Sequence, residues 1–153
     1  MFETPVDALY VWVALGAVSV AVLGVISGVP TTAPPDGTAT AATIDEVTTS
    51  PPDSVARRSL SADQWSLFGR QLRLRNDGGR VESRLLRRAV RAQGAALTAV
   101  LRGHSPGAIF ESPDTFERAI LRAVSDGRSW TPAPDRLTVR RVVWEGVDVT
   151  LVG

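Results

Sequence analysis

Between Asp7 and Asp36 the chain carries no charged side chain, and Ala8 to Val29 (ALYVWVALGAVSVAVLGVISGV) is apolar almost throughout. Coiled as a helix, such a run rises roughly 30 Å, the hydrocarbon thickness of a bilayer. Its leucines, valines and isoleucine each favour insertion by about 0.3 to 0.6 kcal/mol, which outweighs the glycines and serines among them. The expectation is a membrane-spanning helix over 8–29 behind a short acidic leader at 1–7. That places the protein in the cell membrane as a single-pass chain. A cleaved signal peptide has a basic start and a shorter apolar core. This leader holds Glu3 and Asp7 and no basic residue.

The apolar run has a seam. Ala14, Ala17, Ala21, Gly24 and Gly28 recur at alternating steps of three and four, and Gly24 to Gly28 is itself a GxxxG. Small residues on one helix face let a second helix approach closely. The expected partners are therefore the membrane and other transmembrane helices, either a copy of this one or those of an assembly partner.

Pro30, Pro34 and Pro35 interrupt any helix that continues past Val29. Thr38 to Ser50 fits a short helix with Ile44 and Val47 on one side, stopped by Pro51 and Pro52. Taken whole, 30–53 reads by composition as a flexible linker rich in Pro, Thr and Ala.

A small α+β domain is expected over 54–153. Trp65 to Arg75 alternates in part, and Asn76-Asp77-Gly78-Gly79 is a hairpin turn signal with a return strand from Arg80. Arg84 to Arg102 switches to helical spacing, though its first part, up to Arg88, also fits a strand. A second helix starts at Ser112-Pro113, with a hydroxyl to cap, a proline at the first position and Asp114 and Glu117 in the first turn. Gly127 stops it. Leu137 to Leu151 reads as strand, Glu145-Gly146 turn, strand. The sum is a small antiparallel sheet with two helices on one face.

Chemistry is sparse. The chain has no cysteine and one histidine, His104, in a Gly/Ser/Pro loop with no identifiable nucleophile or orienting partner. No acids stand at metal-ligand spacing. Neither enzyme activity, cofactor, metal nor small-molecule substrate is expected.

Charge is distributed unevenly. All seventeen basic residues are arginines beyond position 50, where eleven acids accompany them. Arg70, Arg73, Arg75, Arg80, Arg84, Arg87, Arg88 and Arg91 share a span holding only Asp77 and Glu82 as acids. The ordinary reading of such a run is a solvated surface. The functional one is a basic face for anionic lipid, nucleic acid or a partner protein. Nucleic acid is disfavoured because no stacking aromatics are interleaved among these arginines.

In the order of its parts the chain resembles archaeal type IV pilin-like proteins. It is also similar to small uncharacterised single-pass membrane proteins of halophilic archaea that accompany pilus or secretion machinery. The residues that carry the likeness are Met1 to Ala8, the apolar run, Ala42-Thr43-Ile44-Asp45-Glu46-Val47 and the closing Gly146 to Val152. The resemblance implies a scaffold role in a surface assembly, with an outward-facing head domain, hence an extracytoplasmic location for 54–153. Because prolines break the helix before the head, it implies an accessory component and not a filament-forming subunit.

Overall fold

The computed structural model describes Val13 and residues 32–153. The first described element is a helix, α1 (Gly37–Thr49), and it belongs to the core. Asp36 caps it by accepting from the Ala39 N–H at 2.9 Å, which satisfies one of the donors that a helix start leaves free. Its threonines fit a helix because their hydroxyls donate back to carbonyls one turn earlier. Thr40 bonds Asp36 O, Thr43 bonds Ala39 O and Thr48 bonds Ile44 O. Thr40 and Thr48 can therefore be buried beside Ile44 and Val47 with no polar atom orphaned.

The strands follow as β1 (Val55–Ser59), β2 (Gln64–Phe68), β3 (Gln71–Asn76), β4 (Gly79–Arg84) and β5 (Val90–Arg91). Helices α2 (Gly94–Leu101), α3 (Pro106–Ile109) and α4 (Pro113–Asp126) come next. The chain closes with β6 (Thr131–Pro132), β7 (Arg136–Trp144) and β8 (Val147–Val152). Two four-stranded sheets result, one ordered β1-β7-β8-β5 and the other β4-β3-β2-β6. We call them the terminal sheet and the meander sheet. Every pairing is antiparallel except β5 with β8.

Two apolar clusters fill the space between layers. One joins Ile44 and Val47 of α1 to Trp65 and Leu67 of β2, Leu72 and Leu74 of β3, and Leu137 and Val139 of β7. The helix thus packs against the inner faces of both sheets. The second lies on the other face of the terminal sheet, where Val142, Val149 and Leu151 meet Leu97 and Val100 of α2 and Phe116 and Ile120 of α4. The period-2 alternation of β7 and β8 is what divides their side chains between the two clusters. Phe116 also stacks between Phe110 and Trp144, with ring centroids 5.1 and 6.0 Å away.

Several expectations are corrected. The membrane-spanning helix over 8–29 lies outside the described residues, Val13 excepted, and no helix among the described residues is long and apolar enough to cross a membrane. The single-pass architecture, the cell-membrane placement and the extracytoplasmic domain are corrected on that finding. The seam of Ala14, Ala17, Ala21, Gly24 and Gly28 likewise lies outside the described residues. The flexible linker at 30–53 is corrected from residue 32 onward, because that stretch supplies a capped and buried helix. There are two sheets where one was expected, and one strand pair is parallel. Arg84 to Arg102 is not one helix: β4 ends at Arg84, β5 follows, and only Gly94–Leu101 is helical.

Other elements fall where the sequence placed them. Asn76 pairs with Gly79 across the first hairpin. Ser112 Oγ accepts from the Thr115 N–H and caps α4 at its expected start. Trp144 pairs with Val147 across the Glu145-Gly146 turn.

Candidate functional site

The outer face of the meander sheet is built by strand alternation. In β3, Leu72 and Leu74 point into the core, so Arg73 and Arg75 point out beside Gln71. On β4, Arg80, Glu82 and Arg84 are the exposed set. The register puts Arg73 opposite Glu82 and Arg75 opposite Arg80. Like charges directly across a sheet cost roughly 0.2–1 kcal/mol, so something must hold these guanidiniums in place.

Trp130 does so. The guanidinium carbons of Arg73, Arg75 and Arg80 lie 5.4, 4.9 and 5.3 Å from its ring centroid. Each such contact at an exposed site contributes about 0.5–1 kcal/mol, enough to offset the repulsion. Trp130 reaches this face because the chain leaving α4 is fastened to β2. Ser66 Oγ donates to the carbonyls of Gly127 and Arg128, both at 3.2 Å. Gly127 sits so close that a Cβ there would come within 2.2 Å of Leu67 O. Arg73 Nη2 donates to Arg128 O at 3.3 Å, and Arg128 lies over the Phe68 ring at 4.1 Å.

The acid on this face is already engaged, since Glu82 accepts from Gln71 Nε2. Arg75 donates to the neutral Gln64 Oε1. Among the described residues, Arg73, Arg75, Arg80, Arg84 and Arg128 form no ion pair. The face therefore presents Arg73, Arg75, Arg80 and Arg84 beside one carboxylate, that of Glu82, and carries a net positive charge.

The eight arginines singled out in the sequence are not one surface. Arg73, Arg75, Arg80 and Arg84 share the outer face just described. Arg70 and Arg88 line a groove on another side of the domain. Arg87 lies between β4 and β5, where its charge acts on Asp148. Arg91 is buried: Nη1 donates to Thr131 Oγ1 at 2.7 Å and Ser129 O at 3.3 Å, and Nη2 to Asp126 O at 3.2 Å. The Gln93 amide, turned so that both its groups are satisfied, accepts from the same guanidinium at 2.7 and 3.0 Å. Burial pulls Arg91 below the ordinary arginine pKa, and the nearby Asp126 opposes that shift. Its part is structural, tying the end of α4 to β5 and β6.

Sequence reasoning missed Trp130, Phe68 and Arg128, which interleave aromatics with the arginines after all. Trp130 is far from β3 in sequence, and only the path of the chain after Gly127 joins them. His104 lies on the surface; its Nδ1 faces Ala99 O at 3.1 Å and so acts as the donor. Among the described residues no group of His, Cys, Asp or Glu is placed to hold a metal ion.

Fold and face together define an α+β domain with a preorganised arginine–tryptophan surface. Residues 3–142 match the family of unknown function DUF7283, and the chain belongs to that family. No curated protein and no solved structure matches it.

Proposed function

We propose that this domain is a non-enzymatic binding module that docks an acidic surface of a partner protein through the outer face of the meander sheet. The observation that carries the reading is the placement of Arg73, Arg75 and Arg80 around Trp130, with no carboxylate in an ion pair among them. Arginine and tryptophan dominate the energetics of protein interfaces, and guanidiniums held before contact lose less entropy when they bind. A forked guanidinium also meets a carboxylate with two hydrogen bonds.

A protein partner is preferred to nucleic acid because Trp130 is occupied by guanidiniums. Non-specific binding of single strands draws on aromatic faces open to bases. A component of a pilus-type or secretion-type assembly, the role the resemblance implies, would use such a face to dock onto its neighbours.

The test is charge reversal. Arg75→Glu with Arg80→Glu is expected to weaken binding of a glutamate-rich peptide by about a hundredfold, two charge contacts at about 1.4 kcal/mol per tenfold. Trp130→Leu, which frees the guanidiniums to move, is expected to weaken it by about tenfold. Unchanged affinity in the double variant would remove the proposal.

A further inference from the structure

A groove of about 930 Å³ runs between α4 and the half of β8 that β5 leaves uncovered. Val90, Ile120, Val124 and Val149 give it an apolar lining. The pairing of β5 with β8 covers only Leu151 and Val152, matched to Val90 and Arg91. From Val147 to Val149, β8 has no neighbour on that side among the described residues.

The register identifies the free backbone groups. Gly153 and Thr138 exchange both hydrogen bonds, at 2.7 and 3.0 Å. In an antiparallel ladder such pairs alternate, so Leu151, Val149 and Val147 turn their N–H and C=O toward β7. Asp148, Thr150 and Val152 turn theirs the other way. Val152 O is taken by Ala92 N at 2.8 Å, whereas both groups of Asp148, which lines the groove, turn to the side where no strand lies. An open edge of this kind is a template for another strand.

We propose that an extended segment of a partner protein binds here as an added strand beside β8, its alternate apolar side chains resting on α4. The segment carries basic residues, because Asp114 and Glu117 of α4 and Glu145 of the β7–β8 turn outnumber Arg70 and Arg88 among the charged side chains lining the groove, Asp148 being paired with Arg141. Backbone hydrogen bonds with Asp148 supply affinity, and the apolar lining and the acids supply selectivity. This site is separate from the arginine–tryptophan face and prefers the opposite charge.

The probe is a synthetic peptide alternating valine and arginine, compared with its valine–glutamate counterpart. Titration of the full chain is read by backbone amide shifts and by hydrogen exchange. The arginine peptide is expected to slow exchange at the Asp148 amide by about tenfold or more. Asp148→Pro removes the outward donor, which an edge strand tolerates. It is expected to weaken binding by about tenfold, while amide shifts outside β8 and its neighbours stay those of the wild type. Glu117→Arg is expected to weaken the arginine peptide and not the glutamate one. The proposal is overturned by absence of binding, by binding without protection at this amide, or by equal affinity for the two peptides. Protection already present without peptide overturns it too, whether or not it grows with protein concentration as a second copy covering the edge would make it.

Discussion

Arg141 holds Asp148 by two parallel hydrogen bonds across the β7–β8 hairpin, Nε to Oδ1 at 3.1 Å and Nη2 to Oδ2 at 2.7 Å. The same guanidinium donates to Ser50 O, just past the end of α1. Its sequence neighbour Arg140 points to the opposite face of the terminal sheet. There it donates to Val100 O near the end of α2, to His104 O at 3.1 Å and to Asp53 Oδ1 at 2.8 Å. Two consecutive arginines thus satisfy carbonyls at the C-terminal ends of helices in different layers.

The hydrogen bonds from Arg141, aided by its charge and that of Arg87, hold the Asp148 carboxyl below its ordinary pKa against an opposing effect of burial. The folded state therefore binds fewer protons than the unfolded chain near the unfolded carboxyl value, and stability rises with pH there. This contribution is present above about pH 4 and is lost as pH falls through the lower folded value. Urea midpoints across about pH 5 to about pH 2.5 are expected to fall more steeply in the wild type than in Asp148→Asn. Parallel curves would show that the pair contributes nothing to acid sensitivity.

Arg91 is expected to be a stability residue and not a binding one. Arg91→Met leaves the carbonyls of Asp126 and Ser129 without their donor. A cost of about 2 kcal/mol follows, read by urea unfolding. Arg91→Lys cannot reproduce the fork and is expected to recover less than half of it. Acidic-peptide affinity should be unchanged in any variant that remains folded.

Ile44 is fully buried. Ile44→Ala is expected to destabilise the domain by about 2–5 kcal/mol, as in other large-to-small core changes. Removal of residues 1–49 should abolish cooperative unfolding. A cooperative transition at the wild-type midpoint without α1 would mean that the helix is dispensable to the core.

Gly127 has no positive φ, and its requirement is space. Gly127→Ala forces a methyl against Leu67 O, so α4 and β2 must separate. A loss of about 1–3 kcal/mol is expected, together with weaker acidic-peptide binding, because Trp130 is carried on the same stretch of chain.

Local signals explain which parts could be read in the sequence. Asn76 to Gly79, the Ser112 cap and the alternation through Val139 and Val149 each act over a few residues, and the fold keeps them. Threonine misled, because composition cannot reveal that Thr40 and Thr48 bond back to their own helix and so become core residues. The apolar run beginning at Ala8 dominated the expected architecture, yet the described fold is organised around Ile44. The arginines from Arg70 to Arg91 share a charge but not an environment: β3 turns Arg73 and Arg75 outward, while the brief β5 buries Arg91. No local pattern marked Trp130 as their partner, since Ser66 and Gly127 bring it there through tertiary contacts.

The most direct test of the acidic-partner account is a titration of the full chain, at about 0.15 M salt, with a glutamate-rich peptide and with a single-stranded oligonucleotide of equal length and charge. Amide and indole shifts report which surface responds. The account expects the peptide to bind at least about tenfold more tightly, with shifts centred on Trp130, Arg75 and Arg80. Tighter binding of the oligonucleotide, or peptide shifts that leave Trp130 unmoved, would contradict it.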